Sequence, residues 1–118
     1  MDMVSMEQVE NDMARELMVS MDVIKVYMLL IRKGMLNARE IADELKIDIS
    51  KVKDALSNLL RDGACIEIDG RYEALNPRFA VTNMYRMLCL RMNREVKRNE
   101  RIDGIASILE RMYDDARR

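Results

Sequence analysis

The sequence predicts a mainly α fold: a three-helix core carrying one β-hairpin, with extra helices at both ends. Three observations predict it. Residues 37–61 read as two short amphipathic helices joined by a turn of about four residues. An Asp69-Gly70 pair lies directly after them, between two short β-prone runs. Ahead of them, residues 19–33 are apolar on almost every side of a helix. At 118 residues the chain is long enough for one domain with a true core and too short for two ordinary ones.

The elements follow in order. Residues 3–17 place Met3, Met6, Met13 and Leu17 at helical spacing, interrupted by Glu10. In 19–33, Val23, Ile24 and the run Val26–Ile31 leave only Lys25, Arg32 and Lys33 as a narrow polar strip. Such a helix is buried on several sides, and Gly34 ends it. Asn37-Ala38-Arg39-Glu40 is an N-cap with an acid three residues on. Ile41, Ala42 and Leu45 give this short helix its apolar face. Lys46-Ile47 turns the chain and Asp48 caps a second helix, about Ile49 to Arg61. In it Val52, Ala55, Leu56, Leu59 and Leu60 fall within an arc of ~140° at ~100° per residue. Ser50, Lys51, Lys53, Asp54, Ser57, Asn58 and Arg61 fill the rest. Two short helices so joined are a helix-turn-helix.

Gly63 closes the second helix. Residues 64–75 then read as a hairpin, because a type I′ turn needs positive φ at both central residues and Asp-Gly supplies it. Ile66 and Ile68 alternate with Glu67, so they are expected on the packed face. Placed here, the hairpin is a wing. Asn76-Pro77 is an N-cap with Pro at the first helical position. That helix is apolar through Leu90 and Met92 and passes into Asn93–Arg101. A last helix, about 102–116, sets Ile102, Ile105, Ala106, Leu109, Met112 and Tyr113 on one side. The expected division is 1–18 as an N-terminal dimerisation helix, 19–76 as the winged helix-turn-helix, and 77–118 as C-terminal dimerisation helices.

Composition removes several function classes. There is no His, which excludes His-based acid/base chemistry and the usual zinc sites. Cys65 and Cys89 make neither a disulfide framework nor a metal spacing, and read as buried thiols in a reducing compartment. With no Gly-rich phosphate loop and no paired-carboxylate motif, no enzyme, cofactor or metal is expected. No apolar run approaches ~20 residues, so no membrane span is expected, and the acidic start is no signal peptide. The expected location is the cytoplasm.

The net charge of −1 hides a gradient: −5 over residues 1–22, zero over 23–77 and +4 over 78–118. A globally basic chain would point to nucleic acid directly; here the case rests on local geometry.

Residues 20–92 carry Leu36-Asn37-Ala38-Arg39-Glu40-Ile41-Ala42, then Ile49-Ser50-Lys51-Val52, Leu56, Leu59, Gly63, Tyr72, Ala74 and Pro77. With these they resemble the winged helix-turn-helix regulators of archaea and bacteria. The likeness is greatest to the DNA-binding domain of the TrmB type, with MarR-type regulators as near relatives. The resemblance implies a DNA-binding repressor or activator that works as a dimer. The chain departs from the type at Lys46, where Gly is usual in the turn, and at Lys53, where an aromatic is common. TrmB-type proteins carry an effector domain after the DNA-binding part, for which this chain ends too soon, so no small-molecule effector is expected.

On this reading the helix 49–61 enters the major groove of double-stranded DNA. Ser50, Ser57 and Asn58 reach base edges, and Lys51, Lys53 and Arg61 meet phosphates or guanine. Arg39 touches a phosphate, and Arg71 carries the wing 64–75 to the neighbouring backbone. Asp54 and Asp62 oppose phosphate. Arg91, Arg94, Arg98 and Arg101 are spaced to share one side of a helix, either functional or a solvated end with pairs such as Arg91 with Glu95. The apolar faces of the terminal helices exceed what a winged core needs. A homodimer is therefore expected, sealed by Met6, Met13, Leu17, Met84, Leu88, Ile105, Leu109 and Met112. The alternative is an interaction adaptor or subunit of a transcription assembly that does not itself read DNA.

Overall fold

The computed structural model describes residues 5–118. Met3, expected in the first helix, lies outside them. Ser5 caps α1 (Met6–Leu17) by accepting from the Gln8 N–H, and Ser20 caps α2 (Met21–Lys33) in the same way. Eight residues of α2, from Val23 to Ile31, are buried, as its all-round apolar pattern requires. The helix ends at Gly34, φ 81°, whose N–H donates to Leu30 O.

β1 (Leu36–Asn37) follows, a strand too short to leave any periodicity in the sequence. Asn37 is at once its last residue and the N-cap of α3 (Ala38–Leu45). The capping box forms: the Glu40 N–H donates to Asn37 Oδ1 at 2.8 Å, and the Asn37 N–H to Glu40 Oε1 at 2.9 Å. Lys46 takes a left-handed conformation, φ 56° and ψ 44°, where the resemblance puts Gly. Half-buried Ile47 packs on the core from the turn, and Asp48 caps α4 (Ile49–Arg61). β2 (Cys65–Ile68) and β3 (Arg71–Ala74) form the wing around Asp69 and Gly70, whose φ values of 52° and 79° fit the type I′ reading. The sheet order is β1-β3-β2, antiparallel throughout. Leu36 pairs with Tyr72 and Asn37 with Arg71. The Tyr27 hydroxyl donates to Leu75 O at 3.0 Å and ties the wing's exit to the central helix. This is a mainly helical winged helix-turn-helix.

The first strand of the wing faces the other way from the expectation, while Tyr72 and Ala74 of the second lie on the packed side. Cys65 and Ala74, a cross-strand pair, are buried, whereas Ile66 and Ile68 are 39% and 47% exposed. Small side chains let the hairpin sit close to the core, and the isoleucines are left outside.

The C-terminal region corrects a second expectation. α5 (Pro77–Arg91) ends where Asn93 enters the left-handed region at φ 52° and the Arg94 N–H donates to Cys89 O at 2.8 Å. Asn tolerates that conformation and stops a helix almost as Gly does. Residues 94–99 are irregular before α6 (Glu100–Ala116). Arg91, Arg94, Arg98 and Arg101 therefore share no helix.

A third correction concerns the apolar surplus. Met13, Leu17, Met84, Leu88, Ile105 and Leu109 are all at most 6% exposed inside this one chain, and Met6 and Met112 are half-buried. Within the single chain these faces are covered, wholly or in part, by their own domain. α1 and α6 both pack on α2, and α5 packs along α6. The radius of gyration, 13.7 Å, matches the ~13–14 Å of a single packed unit of this length. Charge assists the closure. The acidic α1 meets the basic C-terminal half through Arg101–Glu16 at 3.0 Å, and meets α2 through Lys25–Glu10 at 3.7 Å. At the far end the Arg117 guanidinium stacks 3.6 Å over the Tyr113 ring and donates to Ile31 O.

Candidate nucleic-acid interface

α4 is held by Val52, Ala55, Leu56 and Leu59, all buried, against α2 and α3. Leu60, expected among them, sits at the edge of the packed face and is 37% exposed. The opposite flank is open along its length. Ser50, Lys51, Lys53, Asp54, Ser57 and Arg61 are exposed, and Asn58 is half-buried. Arg39, also exposed, lies in the first turn of α3, next to the cap that fixes the start of that helix. Among the described residues Arg39, Lys51 and Lys53 have no ion-pair partner. Their charge is available to an incoming anion.

The other two expected bases are engaged. Arg61 Nε lies 3.1 Å from Asp62 Oδ1, and Arg91 Nη1 reaches the same oxygen at 3.1 Å. Asp62 is only 2% exposed, so it opposes phosphate less than its place in the sequence suggests. Arg71 donates to Met35 O at 3.2 Å and lies 3.7 Å from Glu40 Oε1. It is drawn back toward the start of α3. The wing's remaining charges are Glu67, Asp69 and Glu73.

From Asn37 through Leu75 there are six bases and nine acids. Attraction to a polyanion therefore comes from the first two turns of α4, the start of α3 and Lys46 in the turn between them. There the unsatisfied helix N–H groups add partial positive charge. Three of the four bases of the expected stripe are spent elsewhere: Arg91 on Asp62 rather than Glu95, Arg98 on Asp103 at 3.0 Å and Arg101 on Glu16. A cleft of about 320 Å³ between α1 and α6, lined by Asp12, Arg15, Glu16, Arg101, Ile105 and Ile108, holds charges already paired with one another. No group of His, Cys, Asp and Glu suited to a metal occurs among the described residues.

An open, polar helix flank beside a second capped helix and a wing is the arrangement of a DNA-reading head. A family model described as "Sugar-specific transcriptional regulator TrmB" matches residues 20–88, more than half of the chain. The chain belongs to the TrmB family. The match runs from the cap of α2 to the last turns of α5, so it covers the helix-turn-helix, the wing and the helix behind it. A TrmB-family helix-turn-helix is a DNA-binding domain of a transcriptional regulator, and the family is one of regulators rather than enzymes. No curated protein and no solved structure matches the chain. No helix among the described residues of this TrmB-family chain is long and apolar enough to cross a membrane.

Proposed function

We propose that this chain regulates transcription by binding double-stranded DNA as a dimer, with α4 in the major groove. One observation carries the reading: the flank of α4 opposite Val52, Ala55, Leu56 and Leu59 is exposed from end to end, with Lys51 and Lys53 unpaired. Ser50 and Ser57 meet base edges, and Asn58 does so from the rim of the flank. Lys51 and Lys53 meet phosphates or guanine, and Arg39 holds a phosphate from α3. Arg61 joins them by leaving Asp62, which keeps Arg91. The wing touches the neighbouring backbone through Arg71 beside its Asp69-Gly70 tip, a minor contact given its three acids. With about four free bases per copy, the salt dependence is modest for a DNA-binding protein.

Fluorescence anisotropy with random duplex DNA at ~50 and ~200 mM salt tests this. The wild type is expected to bind and to weaken as salt rises. Lys51→Glu with Lys53→Glu is expected to lower affinity at least tenfold without changing the thermal melt, because both side chains are solvated. Unchanged affinity sinks the assignment of α4. Absence of low-salt binding by the wild type favours the adaptor reading, for which the acidic wing is the natural docking surface.

A further inference from the structure

The backbone around Asp62 is pinned. Its own N–H donates to Asn58 O at 3.0 Å, the Ala64 N–H to Leu59 O at 2.8 Å, and Asn83 Nδ2 of α5 to Gly63 O at 2.9 Å. Gly63 sits at φ 71°, where a Cβ would meet Asn83 Nδ2 at 3.0 Å, so α5 lies close against this turn. The Asp62 carboxylate is thus a fixed point withdrawn from water. The two guanidiniums on its Oδ1 have more freedom. Arg61 ends the exposed flank of α4 and is 56% exposed, and Arg91 comes from the last turn of α5 and is 39% exposed.

One carboxylate oxygen held by two arginines has a property that a simple pair lacks. A buried carboxylate left without a cation is costly, so a lone arginine would be trapped on Asp62. With two, one can leave while the other keeps the charge compensated. We infer that Asp62 and Arg91 are positioning residues for DNA binding: Asp62 stores Arg61 at the end of α4, and Arg91 makes Arg61 releasable. The inference rests on the assignment of α4 to the groove and says how its last base is delivered. Arg61 is the one that leaves. It is the more solvated of the two, and at ~100° per residue it stands within about 40° of Ser50 and Ser57 on the open flank. Arg91 reaches Asp62 from the helix behind. Once Arg61 has moved to a phosphate, the duplex faces a neutral Asp62–Arg91 pair instead of a bare carboxylate, so the exchange adds a cation to the interface without adding a repulsive charge.

Anisotropy titrations of the full chain with random duplex DNA, over ~50–200 mM salt and in two backgrounds, test this. Arg91→Met leaves Asp62 to Arg61 alone. It is expected to weaken binding and to lower the log–log salt slope by about 0.9, the loss of one phosphate contact, as Arg61→Met does. Arg91→Lys, which keeps a cation beside Asp62, should restore the slope. In an Asp62→Asn background Arg61 is already free and the neutral amide needs no cation, so Arg91→Met is expected to change affinity less than about twofold. Equal losses in both backgrounds mean that Arg91 meets the duplex itself, and overturn the inference. No loss in the wild-type background overturns it too. Should Arg91→Met fail to fold by circular dichroism, Asp62→Asn carries the test: it should tighten binding when Arg61 is present and not when Arg61 is Met, and equal gains in both overturn the inference. Exchange of the Arg61 Nε proton with water, read by NMR in the absence of DNA, should be slower in Arg91→Met than in the wild type or Arg91→Lys. A wild type that ignores DNA although this exchange responds to Arg91 breaks the reading of α4 and leaves the shared hold on Asp62 standing. DNA binding and exchange that are both indifferent to Arg91 break this inference alone.

Discussion

Among the described residues Asp62 is the one charged side chain withdrawn from solvent, and two arginines share one of its oxygens. The arrangement closes the end of α4 against the end of α5. Because both guanidiniums are partly solvated, at 56% and 39% exposure, the pairs stabilise less than a fully buried bridge would. Asp62→Ala is expected to cost about 1.5–3 kcal/mol, the range for hydrogen bonds to charged groups, read as a lowered urea midpoint. An unchanged midpoint would mean that this junction is held by apolar packing alone. The pair Arg61 and Asp62 was legible in the sequence as neighbours. Arg91, 29 positions further on, was not, because only the fold of α5 brings it there. The exposed isoleucines of the wing show a related limit. Period-two alternation says that Ile66 and Ile68 share a face, and the smaller Cys65 and Ala74 decide which face turns inward.

At the level of elements, the caps were the most legible signals. Asn37, Asp48, Asn76, Gly34 and the Asp69-Gly70 turn all act where their chemistry placed them. Two features stayed hidden: β1, whose two residues gain meaning only by pairing with β3, and the left-handed Asn93 that halts α5. Lys46 offers a test of cap energetics. It holds φ 56° without the freedom of Gly, and an L side chain in that region costs roughly 1–2 kcal/mol. Lys46→Gly removes that cost while adding freedom to the unfolded chain. The expected net is a gain of up to about 1 kcal/mol, seen as a higher melting temperature. Asn37→Ala removes one arm of the capping box and should cost about 1 kcal/mol. If Lys46→Gly lowered the melting temperature, the lysine would be shown to make a compensating contact.

For the whole molecule, the terminal helices were legible as apolar faces in need of cover. Which surface covers them was not, because amphipathicity has no address. They wrap α2, and the interior they complete governs the response to alkali. Burial, with help from Glu67, pushes the Cys65 thiol up to about 12 from 9.0. Burial likewise pushes the Tyr27 phenol above its ordinary value of 10.0. Both groups keep their protons in the folded chain at pH values where the unfolded chain has lost them. The unfolded state then binds fewer protons, so stability falls as pH rises. With no His in the chain, urea midpoints should be level between about pH 6 and 8. They should decline above about pH 9, by on the order of 1 kcal/mol per pH unit for each group released. Cys65→Ala should delay the onset toward the tyrosine range, and a decline already complete by pH 8 would contradict the assignment.

The two-residue strand that starts the reading head has a mechanical consequence. Leu36 and Asn37 are laced to Tyr72 and Arg71 immediately before the capped start of α3. Hairpin and reading helices are thereby one lever with no hinge. If α4 enters the groove as proposed, a mismatch in groove width between target sites would be absorbed by bending of the duplex, and flexible base steps beside the contacted ones would become part of the selection.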